Sequence, residues 1–177
     1  DHWTNKNHWL NPDFDVCTWH GVTCSAPDLQ GVQHVTEINL FNNNLTGSLP
    51  EDVAQLAQLQ ALRVAFNQLT GPIPSLTALT SLTTFNGNGN QFTDSLPALA
   101  GMRNLADFQV NANLLTGEIP SLAGLTKLST FDVDFNRLTG SFPALAGLTN
   151  LTYFDASDNR LIGSLPELTG LPNLSVF

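Results

Sequence analysis

The sequence predicts a repeat solenoid, with one short strand per repeat laid side by side in a parallel sheet and joined by irregular return arcs. Three observations predict it. Five successive units of 23 residues run without a gap from Leu59 to Asn173. Within each unit the fourth and sixth positions are apolar or small, the period-two mark of a strand with one buried face. Each unit also carries a proline at its sixteenth position, which stops a long helix in the return.

The strand segments come first in each unit. The units begin at Leu59, Leu82, Leu105, Leu128 and Leu151. An earlier unit, Val35 to Gln58, matches with one extra residue near Glu51 and Asp52, and a seventh starts at Leu174. Stacked at about 4.8 Å per repeat, Phe85, Phe108, Phe131, Phe154 and Phe177 are expected to form one column inside the coil. Leu45, Leu69, Phe92, Leu115, Leu138 and Leu161 are expected to form a second. No unit buries its apolar face alone, so stability comes from its neighbours. Asn43, Asn67, Asn90, Asn113, Asn136 and Asn159 recur at position nine. Their amides have the donors and acceptor for a buried ladder that pairs turn backbone groups. Gly87 falls where other repeats hold Leu, Val or Ala, and Asp94 stands where they hold Gly. That unit is expected to be the least regular, with a kink or bulge at Gly87.

The unit reads L-x-x-F-x-V-x-x-N-x-L-T-G-x-x-P, with Leu or Ile sometimes replacing Phe. This resembles the leucine-rich repeat. The L-T-G-x-x-P extension resembles the plant-type subfamily of receptor-kinase ectodomains and polygalacturonase inhibitors. The resemblance covers Val35 to Phe177. It implies a leucine-rich repeat solenoid with a short parallel sheet on the concave face and irregular or 3-10 return arcs. The departures are the 23-residue length, Phe at position four, and Ser157 as the one serine kept at position seven.

Residues 1–34 do not repeat and read as an N-terminal cap; 35–177 read as the solenoid, six full repeats and the start of a seventh. CTWHGVTC, Cys17 to Cys24, resembles the cap signature of the plant-type family. That resemblance implies a Cys17–Cys24 disulfide, which suits an oxidising compartment. Trp3, Trp9, Phe14 and Trp19 supply apolar area for a lid. The four histidines, His2, His8, His20 and His34, also lie here. A zinc site on Cys17, His20, Cys24 and His34 is the alternative, although the spacing matches no common zinc motif. Asn44, Asn150 and Asn173 open N-x-S/T sequons, the glycosylation pattern; the repeat itself generates N-L-T. The polar opening at Asp1 is expected of a chain whose signal peptide has been removed.

Composition excludes function classes. The formal net charge is −9, which disfavours phosphate-backbone contact and hence nucleic acid. No apolar run approaches the roughly 18 residues of a membrane span. The sequence has no G-x-S-x-G, no H-E-x-x-H and no phosphate loop. The expectation is therefore no enzyme, no catalytic residue, no cofactor and no metal.

Positions three, five, seven and eight are expected to face outward on the concave side. That set holds Glu37, Phe41, Arg63 and Phe66 at one end and Asn86, Asn88, Asp107 and Gln109 in the middle. Asp132, Asp134, Phe135, Tyr153, Asp155 and Asp158 lie at the other end. Five carboxylates thus gather on the C-terminal half. The reading is a secreted or cell-surface recognition module that binds a protein or peptide partner with a basic patch, as in receptor ectodomains or hydrolase inhibitors. Calcium on Asp132, Asp134 and Asp155 is an alternative to the basic partner. Cell-wall polysaccharide binding is another reading, as is ice binding by the threonine column at Thr46, Thr70, Thr93, Thr116 and Thr139. An open apolar layer at Phe154 and Phe177 leads to a further expectation, self-association through that end.

Overall fold

The computed structural model describes residues 3–177, so His2 lies outside the described residues. Ten short strands form two ladders: β1 Val22–Cys24, β2 Val35–Asn39, β3 Thr46–Gly47, β4 Ala61–Arg63, β5 Gln68–Pro72, β6 Thr84–Asn86, β7 Gln91–Thr93, β8 Asp107–Gln109, β9 Thr130–Asp132 and β10 Tyr153–Asp155. The main sheet has the order β1-β2-β4-β6-β8-β9-β10. All its pairs from β2 onward are parallel and shifted by one whole repeat, so equivalent positions sit side by side.

The phenylalanine column forms as the repeat phase requires. Ring centroids of Phe85, Phe108, Phe131, Phe154 and Phe177 follow one another at 5.5, 5.6, 5.4 and 5.4 Å, all stacked. Such pairs contribute about 0.5–1.5 kcal/mol each beyond their area burial. Phe154, expected to lie open at the C-terminal end, is covered by Phe177 and only 1% exposed. Toward the N-terminus the column narrows to Leu62 and Ile38. There a cavity of about 410 Å³ opens between these residues, Leu40, Val53 and the rings of Trp3 and Trp9.

The asparagine ladder takes the form proposed for it. Asn113 Oδ1 accepts from Phe92 N at 2.9 Å, and its Nδ2 donates to the carbonyls of Gly87, Val110 and Asn111 at 3.0–3.1 Å. Asn67, Asn90, Asn136 and Asn159 repeat the arrangement. Asn43 turns the same groups on the N-terminal segment. It accepts from Asn5 N at 2.6 Å and donates to Asn5 O at 2.8 Å, so that segment stands where a preceding repeat would.

A second sheet was not foreseen. Strands β3, β5 and β7 pair in parallel on the outgoing side of the coil. The ladder continues as bridges Ser95–Thr116, Glu118–Thr139 and Ser141–Ile162. Its turn needs a left-handed residue at position thirteen, φ +74° to +89° at Gly47, Gly71, Gly117, Gly140 and Gly163; Asp94 takes the same conformation at +64°. Asp tolerates that region better than most residues, which explains the substitution.

Gly87 does not kink or bulge the strand. The ladder runs on through it, Gly87 N donating to Gln109 O at 2.8 Å. A Cβ there would stand 3.0 Å from the Phe92 ring and 3.3 Å from the Phe85 ring. The glycine makes room for a phenylalanine, Phe92, where the other repeats have leucine.

The N-terminal segment pairs antiparallel through β1 onto β2. Cys17 and Cys24 are disulfide-bonded, with Cα atoms 5.5 Å apart. The thiols are consumed, which removes the zinc alternative. His20 Nδ1 accepts from Asn5 Nδ2 at 3.2 Å, and His34 lies 3.6 Å from Asp28. Trp3, Trp9 and Trp19 pack edge to face or tilted at 4.9–5.0 Å, and Trp9 Nε1 donates to His20 O. Trp3 and Trp9 pack against the solenoid core.

Candidate functional site

Register builds the concave face. Because each parallel pair is offset by one repeat, position five becomes one row across the sheet: Asn39, Arg63, Asn86, Gln109, Asp132 and Asp155. Position three places Glu37, Asp107 and Tyr153 in a row beside it. Position eight lies at the rim rather than on the sheet. Asn42, Phe66, Ala112, Phe135 and Asp158 all adopt φ between +47° and +56°, where the chain turns out of the strand. Ala61 and Ala65, read from phase as outward, are buried. Their small side chains leave the surface to neighbouring residues.

At the N-terminal end Arg63 is not a free cation: its guanidinium pairs with the Glu37 carboxylate. Phe41 and Phe66 meet edge to face at 5.4 Å and are more than half exposed. The Phe66 ring lies against Gly89, where a Cβ would stand 3.0 Å from it. In the middle, Asn86 and Asn88 both donate to Gln109 Oε1, at 3.4 and 3.2 Å, and Asn88 Oδ1 accepts from Asn111 N at 2.9 Å. These amides form one connected patch.

At the C-terminal end the three carboxylates divide. Asp155 is well supplied: Ser157 N and Oγ donate to Oδ1 at 2.9 and 2.7 Å, and Tyr153 OH donates to Oδ2 at 3.2 Å. Burial raises its pKa, but the Ser157 and Tyr153 hydrogen bonds outweigh this and hold the group below the usual carboxylate range. Asp132 was read as outward and charged. It is 8% exposed, and its one donor is Asp134 N at 3.4 Å. Burial first, then the Asp134 carboxyl and the Asp155 charge, push Asp132 up to about 7. Asp134 Oδ1 is buried and has no hydrogen-bond partner among the described residues. Burial, then the charges on Asp132 and Asp155, move Tyr153 up to about 12. Phe135 and Asp158 stand exposed at the rim, and Asp107 is half-buried on β8.

Among the described residues no group of three His, Cys, Asp or Glu side chains is arranged to hold a metal ion. Asp132, Asp134 and Asp155 therefore do not make the calcium site offered as an alternative. The threonine column lies on the second sheet, where Thr46 is registered with Gln68 and Thr70 with Gln91 rather than with threonine. Among the sequons, Asn150 and Asn173 are exposed on the flank and donate to Thr126 O and Thr149 O. Among the described residues no helix is long and apolar enough to cross a membrane.

A family model described as Leucine Rich Repeat matches residues 34–56 and 150–171. Receptor-like protein 3 of Arabidopsis thaliana is 41% identical over 75 residues, which are 41% of this chain and 9% of that protein. The chain thus spans under a tenth of that relative. Among solved structures, PEPR1-AtPEP1 superposes with a TM-score of 0.84 at 27% identity, covering 99% of this chain and 26% of that one. The plant peptide hormone receptor RGFR1 in complex with RGF2 superposes at 0.70 with 34% identity, covering 78% of this chain and 27% of the receptor.

Proposed function

From a chain built of plant-type leucine-rich repeats, we propose a non-enzymatic recognition module that binds a protein or peptide partner through its concave face, outside the cell. The partner presents a basic group to the C-terminal half of that face. One observation carries the reading: strict register turns position five into a continuous row that passes from Arg63, through the Asn86 and Gln109 amides, to Asp132 and Asp155. An in-register row on a rigid sheet preorganises its contacts, so little ordering cost is met on binding. The similar plant peptide hormone receptor RGFR1, in complex with RGF2, supports the same class of partner here. The Cys17–Cys24 disulfide supports an oxidising, extracellular setting. In that setting Asn150 and Asn173, exposed on the flank, are N-glycan acceptors away from the concave row.

The test is a selection from a random displayed-peptide library, followed by hydrogen exchange of the chain with the selected peptides. The reading expects sequences rich in Lys or Arg and slowed exchange in β6, β8, β9 and β10. Protection confined to the second sheet, or binding on a glycan array or inhibition of ice recrystallisation in place of peptide binding, refutes it.

A further inference from the structure

We infer that the cavity between the N-terminal segment and the first two repeats is a binding site for a small uncharged apolar molecule, a medium-chain or bicyclic hydrocarbon carrying at most one hydroxyl group. Its mouth, at Thr46, Ser48 and Pro50, opens beside the second sheet, away from the position-five row of the concave face.

The sequence makes the space. Interior position four holds phenylalanine from Phe85 onward, but Ile38 on β2 and Leu62 on β4. In the return arc the first repeat has Val53 and the half-buried Leu56 where the next repeat has the fully buried Leu76 and Leu79. The extra residue of the first repeat falls in a 3-10 turn, Glu51–Gln55. Protein interiors leave few voids larger than a water molecule. The space here is about 410 Å³, within the range of about 300–1,000 Å³ usual for ligand sites.

The walls select the occupant. Ile38, Leu40, Val53, Leu62 and the rings of Trp3 and Trp9 make them apolar, and Trp9 Nε1 already donates to His20 O at 2.8 Å. Water away from the mouth lacks the polar partners that hold it in a protein, and an apolar cavity of about 150 Å³ stays dry and takes up benzene. The polar lining residues, Thr46, Ser48 and Asp52, are exposed at the mouth. No Lys, Arg or His is among the described lining residues; Lys6 lines a neighbouring cleft. Asp52 therefore disfavours an anionic head group, whereas a hydroxyl finds acceptors.

A second observation lies at the mouth. Leu10 lines the cavity yet is 85% exposed, and it is held at φ +60°. A bulky apolar residue seldom adopts that conformation, and such strain gathers at ligand sites. An apolar molecule seated in the cavity gives this side chain a surface to cover.

The experiment is a fluorescence titration with N-phenyl-1-naphthylamine, an uncharged probe that brightens in apolar surroundings. The three tryptophans, Trp3, Trp9 and Trp19, all lie in the N-terminal segment, so energy transfer from tryptophan to the probe reports binding at this end of the molecule. The expected result is saturable binding with a Kd below about 100 µM. 1-Octanol is expected to displace the probe, and octanoate to do so at least about tenfold less well. Leu62→Phe fills the space and is expected to weaken probe binding at least about tenfold. Leu10→Asn suits the left-handed backbone better and is expected to weaken it about threefold by removing apolar surface at the mouth. Leu165→Ser, at the exposed C-terminal end, is expected to change nothing. Absence of energy transfer, or unchanged binding in folded Leu62→Phe, overturns the site. If that variant does not fold, unchanged binding in Leu10→Asn overturns it instead. Octanoate competing as well as 1-octanol overturns the uncharged class of ligand. Each of these results leaves the concave face to be decided by the peptide selection.

Discussion

Two single residues set the packing of the third repeat. Gly87 exists because Phe92 does: a Cβ at Gly87 would press on the Phe92 and Phe85 rings. Gly87→Ala is expected to destabilise the chain by about 1–3 kcal/mol, the usual cost of overpacking a filled core. Phe92→Leu, the residue most other repeats hold there, is expected to recover most of that loss when the two are combined. A double-mutant cycle by urea denaturation checks the coupling; additive losses would mean that the two side chains do not compete for the same space. Asn113 shows the value of the ladder in the same way. Asn113→Ala strips partners from Phe92 N and three carbonyls, and is expected to cost roughly 2–4 kcal/mol. The exposed Asn173→Ala, which removes one bond to Thr149 O, is expected to cost under about 0.5 kcal/mol.

At the scale of the element, the stacked phenylalanines end where the cavity begins. Leu62 and Ile38 continue the row of Phe85 and Phe108 with smaller side chains, and the Trp3 and Trp9 rings do not close the space. Leu62→Phe extends the stack into that space and is expected to stabilise by about 0.5–2 kcal/mol, as cavity-filling changes commonly do. Thermal unfolding measures it; a lowered midpoint would show that the space cannot take the ring. Much of the element plan was legible in the sequence, because one phase fixes six repeats: the strands, the phenylalanine column and the asparagine ladder all follow from it. The second sheet escaped because its signal, a single left-handed position after Thr, reads in sequence only as a turn. Ala65 and Asp132 show the other limit. Phase places both on the outward side, but whether an outward side chain is covered depends on the neighbouring rows, which phase does not describe.

For the whole molecule, the concave face grades from aromatics through amides to carboxylates, and its acidic end affects stability as well as binding. Asp132 takes up a proton more readily folded than unfolded. Its contribution to stability is fully present below the ordinary aspartate range and is lost as pH rises toward about 7. Asp155 has the opposite sign: its contribution is present above the ordinary range and is lost as pH falls through its lowered value. Between pH 4.5 and 7.5 the melting temperature is therefore expected to fall, and Asp132→Asn is expected to flatten that fall; an equal slope in the variant would place the titration elsewhere. The carboxylates were visible in the sequence as a row, but their unequal supply of donors was not, since it arises from Ser157 and Tyr153 reaching Asp155 and from no described residue donating to Asp134 Oδ1. The central claim is that this row recognises a basic partner. The most direct measurement is the association rate of a selected Lys- or Arg-rich peptide as salt is raised, for the native chain and for the triple change Asp132→Asn, Asp134→Asn and Asp155→Asn. The rate is expected to fall steeply with salt in the native chain and to be slower and nearly salt-independent in the triple variant. Equal rates with equal salt dependence in the two proteins would contradict it.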